Sequence, residues 1–353
     1  MLKILVVSHD AGGANILRSL IKKYHYNFKW ITCSLGPARD IFSKKESSFQ
    51  SQKVCLRNND IDGVLKSVRP DYLLTGTSWA SNFELNFIKH AKNQGIRTAS
   101  FLDHWCNYRE RFGYPGNWKK NLPDIVFVGD KWAYEIALKN GFSCGILRKV
   151  ENPYFEEITK EASLLKKKNK GNKKNHKIKI LYLSQPVSMH ALKYFNVPDY
   201  WGYTEFEVLE GLLKVMNLQE KEFSLELKIR LHPAEKINKY SSLLNKKRYI
   251  GIKKLISVSS PMNNLLIKDC VWADVVIGSD SMALVVALII DKYVISYVPD
   301  MKKTGYLPQK EIKNIHSINE LLQEIKTFKK NGQTRNHKNR AAFNRAFLRE
   351  IFN

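Results

Sequence analysis

The sequence has few cysteines for its length, and no two of them are close together. The five cysteines of the 353-residue chain are Cys33, Cys55, Cys106, Cys144 and Cys270. Their number is odd, no CxxC pair occurs, and no spacing matches a zinc site. We therefore expect reduced thiols rather than a disulfide framework or a structural metal site.

Long hydrophobic runs are also missing. The longest, Met282–Ile290, is about half the roughly 18 apolar residues that a membrane-spanning helix needs, so it predicts a buried helix. The first residues, MLKILVVSHDAGGAN, contain too short an apolar run for a secretory signal and lead directly into a glycine pair. These features predict a cytoplasmic protein.

Acidic residues are scarce relative to basic ones. The chain has 58 Lys and Arg against 33 Asp and Glu, a formal net charge of +25, which favours anionic partners. The densest cluster, at 166–179, has eight lysines and no acid. A solvated linker is the simpler interpretation of this cluster, and attachment to an anionic membrane surface is the sharper hypothesis. We expect no specific nucleic-acid partner, because no aromatic residue interrupts the run to stack on bases.

Short runs rich in Val, Ile and Leu alternate with amphipathic segments along the chain, which predicts parallel βαβ units and an α/β fold. The lysine-rich cluster interrupts this alternation once. We therefore predict two Rossmann-like, doubly wound parallel-sheet domains facing a cleft. The predicted divisions are 1–160 for an N-terminal domain, 161–177 for a linker, 178–330 for a C-terminal domain and 331–353 for a closing helix.

No GxGxxG fingerprint follows the first strand, so a dinucleotide site is poorly supported. The segment SHDAGGAN, Ser8 to Asn15, instead places a glycine pair at the end of that strand. Gly12 and Gly13 allow a sharp turn and a close approach to a ligand, and the following helix start favours anions or hydroxyl oxygens. His9 and Asp10 would then project into the cleft. A plain strand–helix turn is the structural alternative.

The segment FLDHWCNYRERF at 101–112 is unusually rich in acids, bases and hydrogen-bonding groups directly after a buried strand. Such groups are costly to bury unless they are solvated or paired. Asp103 or His104 is a candidate general base for an acceptor hydroxyl, with Asp10 as the reserve. The structural alternative is an ion-pair network.

Two C-terminal motifs are candidates for binding phosphate. In IRLHPAE, Pro233 ends a strand and holds His232 at its end, where the ring can donate to a phosphate oxygen. In IGSDSMAL, Gly278 loosens a turn before a helix, and the Ser279 and Ser281 hydroxyls join that helix start in an anion cradle. The structural alternatives are a structural histidine and an ordinary serine N-cap.

Metal chemistry is not indicated. The DID at 60–62 resembles a DxD metal motif, but its polar context before an apolar-periodic segment predicts a helix N-terminus. We expect no cofactor and no metal, so that phosphate charge is met by His, Ser, Lys and helix dipoles.

RLHP followed by a strand, GSDS and an apolar helix ending in DKYVISY resembles the C-terminal half of GT-B-fold transferases. The resemblance is to two families that use cytidine nucleotides, the bacterial sialyltransferases and the CDP-glycerol glycerophosphotransferases. It implies that His232, Ser279 and Ser281 contact the donor phosphate. The N-terminal half resembles polysaccharide-cluster proteins with DAGGAN and LDHWxNYRERF segments.

The resemblance implies a metal-independent glycosyltransferase that moves a sugar from a nucleotide donor to a surface-polysaccharide or glycolipid acceptor. A CMP-linked acidic sugar or a CDP-linked donor is the first choice. The expected catalytic residues are Asp103, His104, Asp10 and His232. The expected donor-binding residues are Gln185, Ser188, His232, Pro233, Glu235, Gly278, Ser279 and Ser281. The expected acceptor-binding residues are His9, Gly12, Gly13, Asn15, Trp79, Tyr108 and Arg109.

Three alternatives remain open at this point. The same fold suits a UDP-sugar glycosyltransferase or a non-hydrolysing nucleotide-sugar 2-epimerase. The positive charge also suits a non-enzymatic protein that binds nucleotides or polyanions. For the transferase, the lysines at 166–179 predict a peripheral position on the inner face of a membrane, where lipid-linked acceptors lie.

Overall fold

The computed structural model describes residues 1–43, 51–79, 81–150, 152–168, 177–219, 224–261, 265–299 and 307–331. These residues form two compact units, with the boundary between Glu157 and Ile158. The boundary falls inside helix α6, Pro153–Lys168. Residues 161–168 of the expected linker are therefore helical, and 169–176 lie outside the described residues.

The N-terminal unit is an α/β sheet domain. Its strands are β1 (Lys3–Ser8), β2 (Lys29–Ser34), β3 (Gln52–Lys53), β4 (Tyr72–Thr75), β5 (Arg97–Leu102), β6 (Ile125–Val128) and β7 (Leu147–Lys149). Its helices are α1 (Ala11–Lys23), α2 (Ala38–Ser43), α3 (Ile61–Val68), α4 (Phe83–Asn93) and α5 (Lys131–Lys139), with short 3-10 helices at Glu110–Phe112 and Trp118–Asn121. The strand order is β3-β2-β1-β4-β5-β6-β7, and the pairs are parallel.

The C-terminal unit repeats this plan. Its strands are β8 (Ile178–Leu183), β9 (Leu225–Arg230), β10 (Ile256–Ser259), β11 (Val275–Gly278), β12 (Tyr293–Tyr297) and β13 (Lys313–Ile315). Its helices are α7 (Val187–Phe195), α8 (Glu205–Gln219), α9 (Ser241–Leu244), α10 (Leu266–Trp272), α11 (Met282–Ile289) and α12 (Ile318–Asn331), with 3-10 helices at Lys247–Tyr249 and Lys253–Leu255. The strand order is β10-β9-β8-β11-β12-β13, again parallel.

Each unit is built around its own apolar core, with central strands that are buried almost without interruption. Buried strands of this kind are expected where helices cover a parallel sheet on both faces. The prediction of two Rossmann-like parallel-sheet domains is therefore confirmed. The predicted closing helix at 331–353 lies, beyond Asn331, outside the described residues.

Several sequence expectations hold at single elements. The apolar run from Met282 is the buried helix α11. Asp60 is the N-cap of α3, and its Oδ1 accepts a hydrogen bond from the Gly63 N–H at 2.7 Å, so the DID motif is a helix start. Among the described residues, no helix is long and apolar enough to cross a bilayer.

The prediction of a glycine turn after β1 is wrong. Asp10 is already the extended N-cap residue of α1, and the helix begins at Ala11, so Gly12 and Gly13 lie in its first turn. The glycines permit close approach instead of a turn. A Cβ on Gly12 would lie 1.9 Å from Asp103 Oδ2, and one on Gly13 would lie 3.0 Å from the Gly76 Cα.

Candidate functional site

The order in which the chain adds strands to the C-terminal sheet reverses at β8. From β8 the chain proceeds outward through β9 and β10, and it then returns to the other side of β8 with β11. In open α/β sheets a crevice forms at this point, outside the carboxyl ends of the strands, and ligands bind there. Leu183 of β8 pairs with Arg230 of β9 and with Gly278 of β11. The loops that carry His232 and Ser279 therefore leave the same edge of the sheet, on the two sides of β8.

A hydrogen bond joins the two loops at this reversal. Gln185, two residues after β8, accepts a hydrogen bond through its Oε1 from the Asp280 N–H at 3.0 Å. The two residues are 95 positions apart in the sequence. Two candidate donor-binding segments, around Gln185 and around Gly278, are thus brought together.

The serines of the β11–α11 loop have different roles. Ser281 is the N-cap of α11, where its Oγ accepts a hydrogen bond from the Ala283 N–H at 3.2 Å. This is the structural alternative named for the motif, and it leaves the helix start oriented toward the edge of the sheet. Ser279 is 2% exposed, and its carbonyl accepts a hydrogen bond from the Ser296 hydroxyl.

The His232 ring has a defined orientation. Its Nδ1 accepts a hydrogen bond from the Ala234 N–H at 3.2 Å, so the neutral ring carries its proton on Nε2. Burial lowers the pKa of His232; the Glu235 carboxylate opposes this effect, and the nearby His190 and Lys239 add to it. A neutral imidazole with an Nε2 proton can donate a hydrogen bond to a ligand. Pro233 is exposed directly after it.

A buried ionic network holds the two loops that leave β8 and β9. Glu235 accepts hydrogen bonds from the His232 N–H at 2.7 Å and from the Ser184 hydroxyl at 2.9 Å. Glu205 accepts hydrogen bonds from the N–H and the hydroxyl of Ser188, both at 2.8 Å. The Lys239 ammonium contacts both carboxylates.

The network changes the role expected for two residues. Ser188 and Glu235 are engaged in hydrogen bonds that fix the loops, so their polar atoms are occupied within the protein. Sequence reasoning missed Glu205 and Lys239. Glu205 begins α8, where an acid is ordinary, and no sequence pattern distinguishes it from a solvated one.

The strand order of the N-terminal sheet reverses in the same way, between β1 and β4. His9 and Asp10 lie at this point, directly after β1. The His9 Nδ1 lies 2.7 Å from Asp10 Oδ1, and both side chains are partly exposed. The ring packs against the β2–α2 loop, since a Cβ on Gly36 would lie 2.7 Å from His9 Nε2. A histidine oriented by a carboxylate is a common arrangement for a general base.

Glu84 lies behind this pair. Its Oε1 accepts hydrogen bonds from the His9 N–H at 2.8 Å and from the Ser78 hydroxyl at 2.9 Å. Its Oε2 is buried and has no hydrogen-bond partner among the described residues. Burial raises the pKa of Glu84 to about 7, and the nearby Asp10 adds to the effect.

Sequence reasoning also missed Glu84, although a signal was present. Glu84 precedes Ile88 and Ala91 by four and seven residues, and all three are buried on α4. An acid in register with the apolar face of a helix is therefore the pattern that could have singled it out.

Asp103 is part of a buried ion pair. Its Oδ1 accepts a hydrogen bond from Arg111 Nη1 at 2.6 Å, and Arg111 also donates to the carbonyl and hydroxyl oxygens of Thr77, both at 2.9 Å. This is the structural alternative named for the segment. The other oxygen, Oδ2, lies against Gly12 at the start of α1.

The surroundings of His104 favour the neutral form of its ring. Burial lowers its pKa to about 4, and the positive charge of Arg111 contributes. Its Nδ1 lies 3.2 Å from Cys106 Sγ. It lines a cavity of about 10 Å³ together with Asp130 and Asn152, which is room for about one water molecule.

The remaining residues expected to contact an acceptor have different surroundings. Tyr108 is 1% exposed and packs edge-on against Phe142, so it is a core residue and is not available to an acceptor. Arg109 lies over the Tyr114 ring, 4.5 Å from its centroid. Trp79 is 37% exposed, and Asn15 is half-buried on α1. Among the described residues, no group of three or more His, Cys, Asp or Glu side chains could hold a metal ion.

The chain is similar in structure to several solved proteins at low sequence identity. The UDP-GlcNAc 2-epimerase from Methanocaldococcus jannaschii is 11% identical with a TM-score of 0.62, over 94% of this chain and 94% of that one. The Neisseria meningitidis UDP-GlcNAc 2-epimerase bound to UDP-GlcNAc is 12% identical with a TM-score of 0.65, over 94% and 92%. Anabaena HepE in complex with UDP-glucose is 11% identical with a TM-score of 0.60, over 94% and 91%.

These similarities show the fold, which is the expected GT-B type with two Rossmann-like domains. They give no support to the more specific resemblance to sialyltransferases or CDP-glycerol glycerophosphotransferases. No protein-family model matches the sequence, and a comparison with curated proteins finds no match.

Proposed function

We propose that the protein is an enzyme that acts on a nucleotide-activated sugar, whose phosphates bind at the edge of the C-terminal sheet where β8 and β11 diverge. One observation carries the proposal. The Gln185–Asp280 hydrogen bond and the strand register gather the loops of β8, β9 and β11 at this reversal point. Loops at a reversal point form the usual ligand crevice of such sheets.

The phosphate contacts follow from the chemistry of this edge. The His232 Nε2–H donates a hydrogen bond to a phosphate oxygen, and the start of α11 supplies a positive dipole end. As the bond between sugar and phosphate breaks, negative charge grows on the departing nucleotide. Donors that are already oriented stabilise that charge without reorganisation.

Within the N-terminal unit, three side chains are candidates for a general base. Asp103 has one oxygen committed to Arg111, and the pKa of His104 is lowered to about 4 by its surroundings, which makes it a weak base. His9, oriented by Asp10, is partly exposed, so it is the better candidate to remove a proton. This assignment replaces Asp103 and His104 as first choice and gives Asp10 an orienting role.

A uridine nucleotide is the preferred donor, ahead of the cytidine donors favoured by the sequence motifs. The supporting observation is that two of the neighbours described above were solved with UDP-GlcNAc and with UDP-glucose. Transfer of the sugar to an acceptor is the first candidate reaction. Epimerisation at C2 of the sugar is the second, because the Methanocaldococcus jannaschii and Neisseria meningitidis neighbours are UDP-GlcNAc 2-epimerases.

Calorimetric titration of the full chain with UDP, CDP, CMP and ADP tests the proposed phosphate site. We expect His232→Ala to weaken nucleotide binding about 10- to 100-fold, because it removes a hydrogen bond to a charged group. His316→Ala is the matched control, since His316 lies in the same domain and its Nδ1 is bonded to the Val298 carbonyl. Equal affinity in the wild type and His232→Ala would remove this residue from the site.

Proton NMR of the reaction with UDP-GlcNAc in heavy water separates the two reactions. Epimerisation exchanges the proton at C2 for deuterium and leaves the nucleotide attached at equilibrium. Transfer or hydrolysis releases UDP without that exchange. Tight nucleotide binding with neither product would leave the binding protein as the better description.

A further inference from the structure

An exposed apolar surface covers α7 and the turn that follows it. Each of its large side chains is at least 37% exposed, and every residue from 192 to 200 is exposed. We call it the α7 surface, and its members are Met189, Leu192, Tyr194, Phe195, Val197 and Tyr200. Contiguous apolar side chains on a protein surface mark a site of interaction.

Helix α7 is packed with much of its apolar content outward. It buries Val187 and Ala191, which are four residues apart and lie on one face. Met189 and Leu192, three residues apart, lie on a different face and are about half exposed. A helix that only covers a core would have polar residues at those positions.

The turn after α7 is ordered by aromatic contacts. Asn196 adopts the left-handed conformation and ends the helix. The chain then folds back so that the Tyr200 ring stacks on Phe195, with centroids 3.7 Å apart and planes 3° from parallel. Trp201 meets Phe195 edge-on at 5.6 Å and packs against the core. The apolar groups are therefore held in place before any partner binds.

Charge indicates which partner suits this surface. The chain carries a net charge of +25, so two copies repel each other, whereas an anionic surface is attracted. Within 187–203 the fixed charges are Lys193 and Asp199, so the surface itself is almost uncharged and can leave water. The exposed Tyr194 and Tyr200 rings suit the boundary between lipid headgroups and acyl chains.

We propose that the α7 surface inserts into the headgroup region of an anionic lipid bilayer, while the basic remainder of the protein provides long-range attraction. The proposal is independent of the enzymatic one. If both hold, the bilayer lies beside the phosphate site, because α7 begins two residues after Gln185. A lipid-linked acceptor would then be within reach of the enzyme.

Co-sedimentation of the full chain with phospholipid vesicles tests the proposal. We expect binding to vesicles that contain phosphatidylglycerol and much weaker binding to phosphatidylcholine alone. The double variant Leu192→Ser/Tyr200→Ser should lower the partition coefficient by about tenfold or more, because both substitutions remove apolar surface that the wild type buries in the lipid. Tyr26→Ser and Leu218→Ser are matched controls, because these side chains are 84% and 63% exposed elsewhere.

Circular dichroism and nucleotide titration of each variant establish that the fold and the proposed phosphate site are intact. A double variant that binds vesicles as well as the wild type overturns the proposal, as does a wild type that ignores anionic vesicles. Equal binding to vesicles with and without phosphatidylglycerol overturns the claim that the basic charge attracts the protein to the bilayer. A wild type that sediments as a dimer, with a monomeric double variant and no vesicle binding, assigns the surface to a second copy of the chain instead.

Discussion

Single carboxyl groups in this molecule are placed in very different surroundings. Glu84 is 2% exposed and faces two hydrogen-bond donors, both on the same oxygen. Glu210, by contrast, is partly exposed and pairs with Lys246 and Arg248 at the surface. Burial without a cation favours the protonated acid, whereas a cation favours the carboxylate. The pKa of Glu84 is accordingly raised to about 7 and that of Glu210 is lowered.

The raised pKa of Glu84 predicts a stability that falls with pH. The native state binds the proton more tightly than the unfolded chain, so the stabilisation is complete below the ordinary pKa of 4.5 and is lost as pH rises through about 7. The loss amounts to about 3 kcal/mol. Glu84→Gln keeps a hydrogen-bond acceptor but cannot ionise, so its free energy of unfolding should not show this loss.

Urea denaturation of both proteins between pH 4.5 and pH 8 measures the difference. We expect the advantage of Glu84→Gln over the wild type to grow across this window and then to level off. A difference that is constant with pH would mean that Glu84 does not change its protonation state on folding.

At the scale of elements, polar contacts between loops hold the candidate site. The loops after β8 and β9 are connected through Lys239, which contacts Glu205 on α8 and Glu235 beside His232. Both carboxylates are about 2% exposed or less as side chains. A buried carboxylate is tolerable only while it is paired, so the lysine is needed by both loops.

Lys239→Met should therefore be strongly destabilising. It leaves two buried carboxylates without their common cation, and we expect a loss of about 3–5 kcal/mol in the free energy of unfolding. Lys246→Met is the control, because Lys246 contacts Glu210 at the surface and an exposed pair contributes about 1 kcal/mol or less. Chemical denaturation measures both, and equal losses would contradict the importance of the buried network.

At the scale of the whole molecule, positive charges far outnumber negative ones. A net charge of +25 on 353 residues repels itself in the compact state. Dissolved salt screens this repulsion over about 10 Å at ordinary ionic strength. The fold therefore depends on its two apolar cores to overcome an electrostatic cost that the solution conditions can change.

We expect the protein to become more stable as sodium chloride is added at neutral pH. The midpoint of urea denaturation should rise with salt, because screening relieves repulsion among the lysines more than it weakens the fewer ion pairs. Potassium acetate in place of sodium chloride is a control for specific chloride binding. A midpoint that falls with salt would mean that attractive pairs outweigh the net repulsion.

Hydrophobic periodicity was enough to predict the α/β class and the two domains. The reason is that the buried face of a strand or helix shows in the spacing of apolar residues within a short stretch of sequence. Periodicity also placed His232, Gln185 and Ser279 at strand ends on one edge, since parallel strands end together. Short edge strands such as Gln52–Lys53 escaped it, because they are exposed and have no apolar pattern.

The sequence by itself determined the element types, the positive charge and the loops that could hold a ligand. Only the tertiary structure decided which polar side chains in those loops are engaged. Asp103 with Arg111, Ser188 with Glu205, and Gln185 with Asp280 are pairs whose contacts depend on distances that the folded chain alone sets. The physical reason is that hydrogen bonds and ion pairs act over a few ångströms, whatever the separation along the chain.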